Sequence, residues 1–248
     1  MNSERIRLFR DAAREIAAIA RKPVFYEECA SELAYAECLD DRSEHAAAAR
    51  EAMRADGGSL GHGFDHAQRV AIEAAAIVRC EAGSRPDCDR LAEDALVAGY
   101  LHDIRRAERR HAEEGAEYAA EFLLGRIDPE DREIIVFAIR NHEAFRETEP
   151  APTDRAELLS GALYDADKFR WGPDNFTDTV WDMAESMSID PALIIGRYDE
   201  GVRGIIRIKE SFRTTTGRRY GPDFIDRGLF IGECLLARFR ENMEDFSC

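Results

Sequence analysis

The chain has 248 residues, of which 45% are hydrophobic and 34% are charged, and its formal net charge is −16. This composition supports a sizeable core but disfavours binding to duplex DNA or long RNA, where neutralisation of phosphates dominates affinity. No apolar stretch approaches the roughly 20 residues that cross a bilayer, and the N-terminus opens into a charged pattern and not a signal segment. We therefore expect a cytoplasmic protein without a membrane partner; a homo-oligomer is compatible with the sequence.

The six cysteines show no Cys-x-x-Cys spacing. In a chain with this N-terminus they are expected to be reduced thiols. Cys80 and Cys234 lie in apolar segments, which is typical of core packing. We expect no cysteine metal site.

Apolar residues recur at helical spacing along nearly the whole chain, while strand-like alternation is almost absent. Asp65 is a candidate N-cap, and Pro129 suits a first helical turn. The last third, about 175–246, is also helical in pattern, with interruptions at 190–191, 214–217 and 221–222. We predict one all-α domain over residues 1–248. Its earlier helices are predicted over about 4–20, 24–39, 45–54, 66–80, 89–102, 111–124, 128–142 and 156–169.

The stretch from Leu96 to Arg106 organises the chain, because an apolar run ends there in adjacent His102 and Asp103 and is followed by arginines. Unpaired polar groups are costly to bury, so this pair needs a partner. Four of the six histidines fall at or next to predicted helix ends, and an acid interrupts a later apolar pattern. The full set is His66, His102, Asp103, His111, His142 and Asp167.

Four imidazoles and two carboxylates suit a divalent ion such as Mn, Fe, Co, Ni or Zn. A single histidine near a helix end is more often a capping or satisfied core residue, and His142 alone fits that description. Six such positions in this order favour a metal site. His45 lies among charged and alanine residues and is interpreted as a surface histidine.

The order of these residues resembles that of the HD superfamily of metal-dependent phosphohydrolases. The resemblance implies an HD-domain helical bundle at about 60–172 with the site at its centre, so the predicted fold is this core with helical N- and C-terminal extensions. The segments that carry it are Gly61–Val70, Gly99–Ile104, His111–Ala116, Ile139–Glu143 and Asp165–Phe169.

The resemblance implies a metal-binding role for each matching residue. His66, the His102–Asp103 pair and Asp167 would hold a first ion. His111 and His142 match the histidines that two-metal relatives add, with Asp103 as the bridge. We therefore predict two divalent ions, with Fe, Mn, Ni, Co, Zn and Mg as candidates. Asp165 is the alternative final ligand, and Asp167 is favoured.

Such a site predicts hydrolysis of a phosphate ester, either a nucleotide or a small phosphoester, by a metal-bound hydroxide that Asp103 ligates and orients. An alternative comes from relatives that hold two irons in the same six ligands and cleave C–C or C–P bonds with oxygen. A second alternative is a non-catalytic nucleotide- or metal-sensing module. The ligands alone do not separate hydrolase from oxygenase, because imidazole and carboxylate serve Fe and Mn alike.

Cationic side chains near the His-Asp pair are candidates for binding the substrate's phosphate. We predict such contacts from Arg105, Arg106, Arg140 and Lys168, the last of which matches a phosphate-binding position in some relatives. Lys168 is therefore also a catalytic candidate. Arg106 stands where one nucleotidase branch has a glutamate that assists proton transfer, which argues against carrying over that branch's deoxynucleotide specificity.

Three further polar segments are ambiguous. His62, in the glycine-rich stretch 57–65, is either a catalytic proton donor or substrate contact, or a loop histidine. Arg109 and Arg110 are as well explained by pairing with neighbouring glutamates on a solvated face. The basic segment 213–220 either lines a substrate pocket or forms an exposed turn, and the turn is favoured.

Overall fold

The computed structural model describes residues 2–56 and 63–245. Within these ranges the chain is helical without strands, which confirms the all-α prediction. A π-helical segment, Asn175–Thr179, precedes α10. The helices are α1 (Asn2–Ile19), α2 (Phe25–Glu28), α3 (Ala30–Arg42), α4 (Glu44–Asp56), α5 (Phe64–Ala82), α6 (Cys88–Leu101), α7 (His111–Phe122), α8 (Pro129–Arg140), α9 (Asp154–Phe169), α10 (Val180–Ser186), α11 (Pro191–Gly196), α12 (Tyr198–Ile208) and α13 (Thr215–Asp245).

The predicted start of α8 is confirmed by its capping geometry. The Asp128 side chain accepts a hydrogen bond from the Glu130 backbone N–H, and Pro129 lies in the first turn. A proline costs little there, because the N–H it lacks would have no partner inside the helix. Asp190 and Pro191 repeat this arrangement at the start of α11, so the interruption predicted at 190–191 is a helix start.

Three predictions of helix boundaries were wrong. Asp65 does not cap α5, because the helix begins at Phe64, two residues before the predicted start, with Gly63 at the N-cap; Asp65 lies in the first turn, where the helix dipole favours an acid. The helix expected over 24–39 is broken at Cys29, which has non-helical backbone angles. Helix α13 continues through Pro222, so the interruption predicted at 221–222 is absent; burial of Phe224 and Ile225 just beyond it offsets the lost hydrogen bond.

The main core forms around α5 and α6. Val70, Ala74 and Ile77, the predicted apolar face of α5, are fully buried. The two helices approach so closely that a Cβ at Gly99 would lie 2.3 Å from the Cα of Ala71. This contact between backbones brings the end of α6 against the start of α5, where His102 and His66 lie.

The two ends of the chain pack on each other in a second, smaller cluster. Ile6, Phe9 and Ala13 of α1 are buried together with Trp181 of α10 and Leu235 of α13. The N-terminal and C-terminal helices thus form a shared layer beside the core that carries the histidines.

The described cysteines are free thiols. The sulfur atoms of Cys29 and Cys80 lie 3.6 Å apart, and burial raises the pKa of both thiols. Thiols that resist ionisation are poor nucleophiles and poor metal ligands, which agrees with a packing role. Cys248 lies outside the described residues.

Candidate metal centre

The six predicted ligands converge although they come from five helix ends. His66 lies in the first turn of α5, and the His102–Asp103 pair directly follows α6. His111 is the first residue of α7, and His142 follows the end of α8. Asp167 lies in the last turn of α9. All six side chains are buried.

One half of the cluster is built by His66, His102 and Asp167. The Nε2 atoms of the two histidines are 3.2 Å apart. Asp167 Oδ1 lies 3.5 Å from Nε2 of His66 and 3.9 Å from Nε2 of His102. Donor atoms about 2.0–2.2 Å from a common ion lie roughly 3–4 Å from each other, so this spacing fits a divalent metal.

Asp103 joins this half to a second one. Its Oδ2 lies 3.4 Å from Nε2 of His102 and 3.8 Å from Nε2 of His66. Its Oδ1 lies 3.4 Å from Nε2 of His142 and 3.6 Å from Nε2 of His111. One carboxylate oxygen therefore faces each half, which is the arrangement that a bridging ligand requires.

The backbone fixes which ring nitrogen of two histidines faces the cluster. Nδ1 of His102 lies 2.7 Å from the Gly99 carbonyl oxygen, and Nδ1 of His142 lies 2.6 Å from that of Ile139. A carbonyl only accepts, so each Nδ1 must donate a proton. In the neutral ring the Nε2 lone pair is then directed at the cluster, as metal-binding histidines require.

The directions of these lone pairs indicate whether the residues fit a metal ion. Nε2 of His102 and Nε2 of His142 both face the carboxylate of Asp103, so acceptor atoms meet acceptor atoms in a buried space. Such a contact is repulsive unless a cation, either a proton or a metal ion, lies between the atoms. The donor set of imidazole nitrogen and carboxylate oxygen therefore fits a divalent ion.

The pKa values of Asp167 and His102, in the first half, depend on the charges around them. Burial disfavours ionisation of Asp167, but Lys168 and the two histidines outweigh it and hold its pKa well below the usual range. Burial likewise opposes a charged His102, but the carboxylates of Asp103 and Asp167 raise its pKa. Carboxylates and cationic groups thus stabilise each other's charged forms in this half.

His111 has a different environment. Its Nδ1 lies 3.5 Å from a carboxylate oxygen of Glu143, while its Nε2 lies 2.8 Å from Nη1 of Arg106. Burial, with His142 and Arg106 nearby, lowers the pKa of His111 to about 4, although Asp103 opposes the shift. His111 is therefore neutral at pH 7, and its Nε2 accepts a hydrogen bond from the guanidinium.

Asp165 and Asp167, the two candidates for the last ligand, have separate positions. Asp165 accepts hydrogen bonds from the backbone N–H groups of Arg213 and Thr214, each at 2.8 Å, and from the Thr214 hydroxyl at 2.7 Å. Burial raises its pKa to about 6 against these bonds. Asp165 therefore ties α9 to the start of α13, and Asp167 faces the histidines.

Among the predicted substrate contacts, Arg106 and Lys168 reach the cluster. Arg106 Nη1 lies 3.7 Å from Asp103 Oδ1, and its side chain is 29% exposed. Lys168 pairs with Asp167 Oδ2, lies 5.0 Å from the centre of the Tyr164 ring and is 5% exposed. Both cations thus border the cluster, while their contact with a substrate stays a prediction.

The other predicted contacts lie elsewhere or outside the described residues. The Arg105 guanidinium stacks over the Tyr118 ring at 4.4 Å and lies 3.4 Å from Asp56. Arg140 is exposed at the end of α8. His62 lies outside the described residues, as does the rest of 57–62. The substrate roles of Arg105 and Arg140 and the catalytic role of His62 stay predictions.

The basic segment 213–220 contributes to a cavity of about 910 Å³. Arg213 stacks over Tyr164 at 3.6 Å and donates to the Asn141 carbonyl oxygen, while Thr214 caps α13 by accepting from Gly217 N–H. Glutamates and an aspartate line this cavity together with Arg213 and Arg218. None of the six clustered side chains lines it, so the segment is partly structural and partly cavity wall.

Sequence reasoning missed the groups that orient the histidines. Glu143 directly follows a predicted ligand, and this adjacency is the signal that could have identified it. The carbonyl groups of Gly99 and Ile139 leave no residue-type signal. However, the last carbonyls of a helix lack partners within it, so a histidine three residues later is well placed to donate to one.

The chain was compared with known protein families. Residues 63–172 match the family model described as HD domain. No curated protein and no solved structure matched the chain. Within the described part of the chain, no helix combines the length and apolar character needed to cross a membrane.

Proposed function

The chain carries an HD domain of the superfamily whose members are mostly metal-dependent hydrolases, and from this premise we propose that it hydrolyses a phosphate ester at the cluster around Asp103. The observation that carries the proposal is the placement of one Asp103 oxygen toward each pair of histidines. That arrangement supports two divalent ions, which His66, His102 and Asp167 would hold on one side and His111 and His142 on the other.

A divalent ion at such a site supplies Lewis-acid activation of water at neutral pH and neutralises charge on phosphoryl oxygens. Imidazole and carboxylate donors suit Mn, Fe, Co, Ni or Zn. The burial of all six side chains limits their contact with bulk water, which strengthens the interactions among charges there.

Two cationic side chains and one carboxylate near the cluster support binding and hydrolysis of a phosphate ester. Arg106 is partly exposed and borders the cluster, so its planar guanidinium is available to two phosphate oxygens. Lys168 is buried and already paired with Asp167, so it contributes positive charge more than a free donor. The Asp103 carboxylate, which lies between the halves, would accept a hydrogen bond from the attacking water.

The test combines elemental analysis of protein purified from cells with a phosphate-release screen over nucleotides and small phosphoesters. We expect metal in the protein and phosphate release that does not require oxygen. Oxygen uptake with a mixed-valence iron EPR signal and no phosphate release would instead support the diiron oxygenase.

The accompanying variant is Asp103→Ala, which removes both bridging oxygens. We expect metal content and phosphate release to be lost together, because all four histidines lose their shared carboxylate. Asp89→Ala, which removes an exposed carboxylate from the first turn of α6, is the matched control and should retain both. Full turnover by metal-free Asp103→Ala protein would contradict the proposal.

A further inference from the structure

The guanidinium of Arg106 contacts the nitrogen atom of His111 that would bind a metal ion. Its Nη1 lies 2.8 Å from Nε2 of His111 and 3.7 Å from Asp103 Oδ1. Its backbone N–H donates to the Asp103 carbonyl at 2.9 Å, within the turn that follows α6. The guanidinium is therefore held at the second half of the cluster by the same turn that presents Asp103.

The contact with His111 involves the only lone pair that this ring directs at the cluster. Nδ1 of His111 faces the Glu143 carboxylate at 3.5 Å, which leaves Nε2 as the acceptor. A lone pair that accepts an N–H from arginine is not available to a metal ion. In addition, arginine stays charged at all accessible pH values and so repels a divalent cation at close range.

In the first half of the cluster the nearby cation, Lys168, does not contact a histidine nitrogen. Lys168 contacts Asp167 through Oδ2, so that Oδ1 remains directed at His66 and His102. The donor atoms of this half can thus converge on an ion without displacement of Lys168. The two halves of one buried cluster are therefore unequal.

We propose that Arg106 controls occupancy of the second metal position: one ion binds between His66, His102 and Asp167, and a second binds at His111 and His142 only when Arg106 moves off His111. This inference rests on the proposed metal-dependent function. An anionic group such as the phosphate of a substrate would favour the movement. The guanidinium would then exchange a hydrogen bond to the neutral His111 ring for one to a charged phosphate oxygen, which is the stronger bond.

The test is a Mn²⁺ titration of chelator-treated full-length protein without substrate, followed by calorimetry and by the EPR signal of coupled Mn²⁺ ions. Wild-type protein should bind in two resolved steps, with coupling only after the second. Arg106→Ala should tighten the second step by about 10–100-fold, the usual scale for groups that contact metal ligands. The first step should change much less.

Arg109→Ala is the matched control, because it removes the same charge from an exposed position three residues away. It should leave the second step close to wild type. Arg106→Gln, with circular dichroism to verify folding, supplies a second variant that removes the charge but keeps a polar side chain of intermediate length. It should also tighten the second step.

Two equal steps in wild-type protein, or equal second-step affinities in Arg106→Ala and Arg109→Ala, would overturn the inference. Because no substrate is present, these outcomes are independent of catalysis. Stepwise binding without hydrolysis of any phosphoester would refute the proposed function and leave the role of Arg106 intact. Phosphate release by protein with two equal sites would support the proposed function and refute the role of Arg106.

Discussion

At the scale of single residues, acids that are close together in the sequence make different contacts. Asp165 and Asp167 are two apart on α9, so their side chains point about 200° apart around the helix axis. One therefore holds the start of α13 while the other faces the histidines. His102 and Asp103 follow the end of α6, where the turn allows adjacent side chains to reach the same cluster.

Asp94 is a buried acid that the proposed chemistry does not use. It lies 3.4 Å from Nη2 of Arg155, whose same nitrogen donates to Asp131 at 2.6 Å. Burial, together with the charge of Asp131, raises the pKa of Asp94 to about 8 against the attraction of Arg155. Folded protein thus keeps this carboxyl protonated at pH values where the unfolded chain ionises it.

This shift predicts a pH dependence of stability. The Asp94 pKa rises from about 3.9 in the unfolded chain to about 8 in the folded one, so the folded state binds more protons in this window. The free energy of unfolding should therefore fall as pH rises from about 4 to about 8. Asp94→Asn should reduce this fall, measured by urea unfolding at pH 5 and pH 8.

The control for that measurement is Asp89→Asn, an exposed acid on the same helix. It should show the wild-type loss of stability between the two pH values. If Asp94→Asn and Asp89→Asn lose the same amount, Asp94 does not carry the effect.

At the scale of elements, the position of α5 relative to the end of α9 depends on a buried ion pair. Arg170 Nη2 donates to Glu73 Oε1 at 2.7 Å, and the Tyr26 hydroxyl donates to the same oxygen at 2.7 Å. Burial disfavours both charges, but Glu73 raises the pKa of Arg170 well above its usual value. Because α5 carries His66 and α9 carries Asp167, this pair supports the geometry of the first half of the cluster.

Arg170→Met should destabilise the protein by about 3–5 kcal/mol, because it leaves the Glu73 carboxylate buried without its cation. The double variant Arg170→Met/Glu73→Gln should recover part of that loss, since no charge is then stranded. Urea unfolding of the three proteins measures both effects. Equal stabilities of the single and double variants would show that the loss comes from packing and not from the unpaired charge.

At the scale of the whole molecule, the cluster connects elements that are far apart in sequence. Its ligands belong to α5, α7, α9 and the segments after α6 and α8. An ion bound there would link these elements only in the folded state, and so would add to the free energy of unfolding.

Removal of metal should therefore lower Tm. At a free metal concentration 100 times Kd the stabilisation is about 2.7 kcal/mol, which corresponds to about 5–10 °C for a chain of this size. Calorimetry with Mn²⁺ and with a chelator measures the difference. His66→Ala, which removes a ligand of the first half, should show a smaller difference, whereas His45→Ala, on the partly exposed side of α4, should match wild type. A Tm that is the same with metal and chelator would contradict metal binding at this strength.

The helical class and most helix positions could be predicted from sequence, because apolar periodicity and local caps are properties of neighbouring residues. The Asp128–Pro129 start is an example, since its capping hydrogen bond lies within one turn. The start of α5 and the continuity of α13 through Pro222 were predicted less well. Phe64, the first residue of α5, stacks on Tyr100, and the residues just beyond Pro222 are buried. These tertiary contacts outweigh the local signals of Asp65 and Pro222.

The candidate site divides in the same way. The sequence by itself determined which residue types are available for a metal, because scarce histidines and paired acids stand out in an apolar pattern. Only the tertiary structure decided that Asp167 and not Asp165 faces them, that Arg105 stacks on Tyr118, and that Arg106 lies on His111. Those outcomes depend on the directions of side chains brought together from distant helices, which no local pattern encodes.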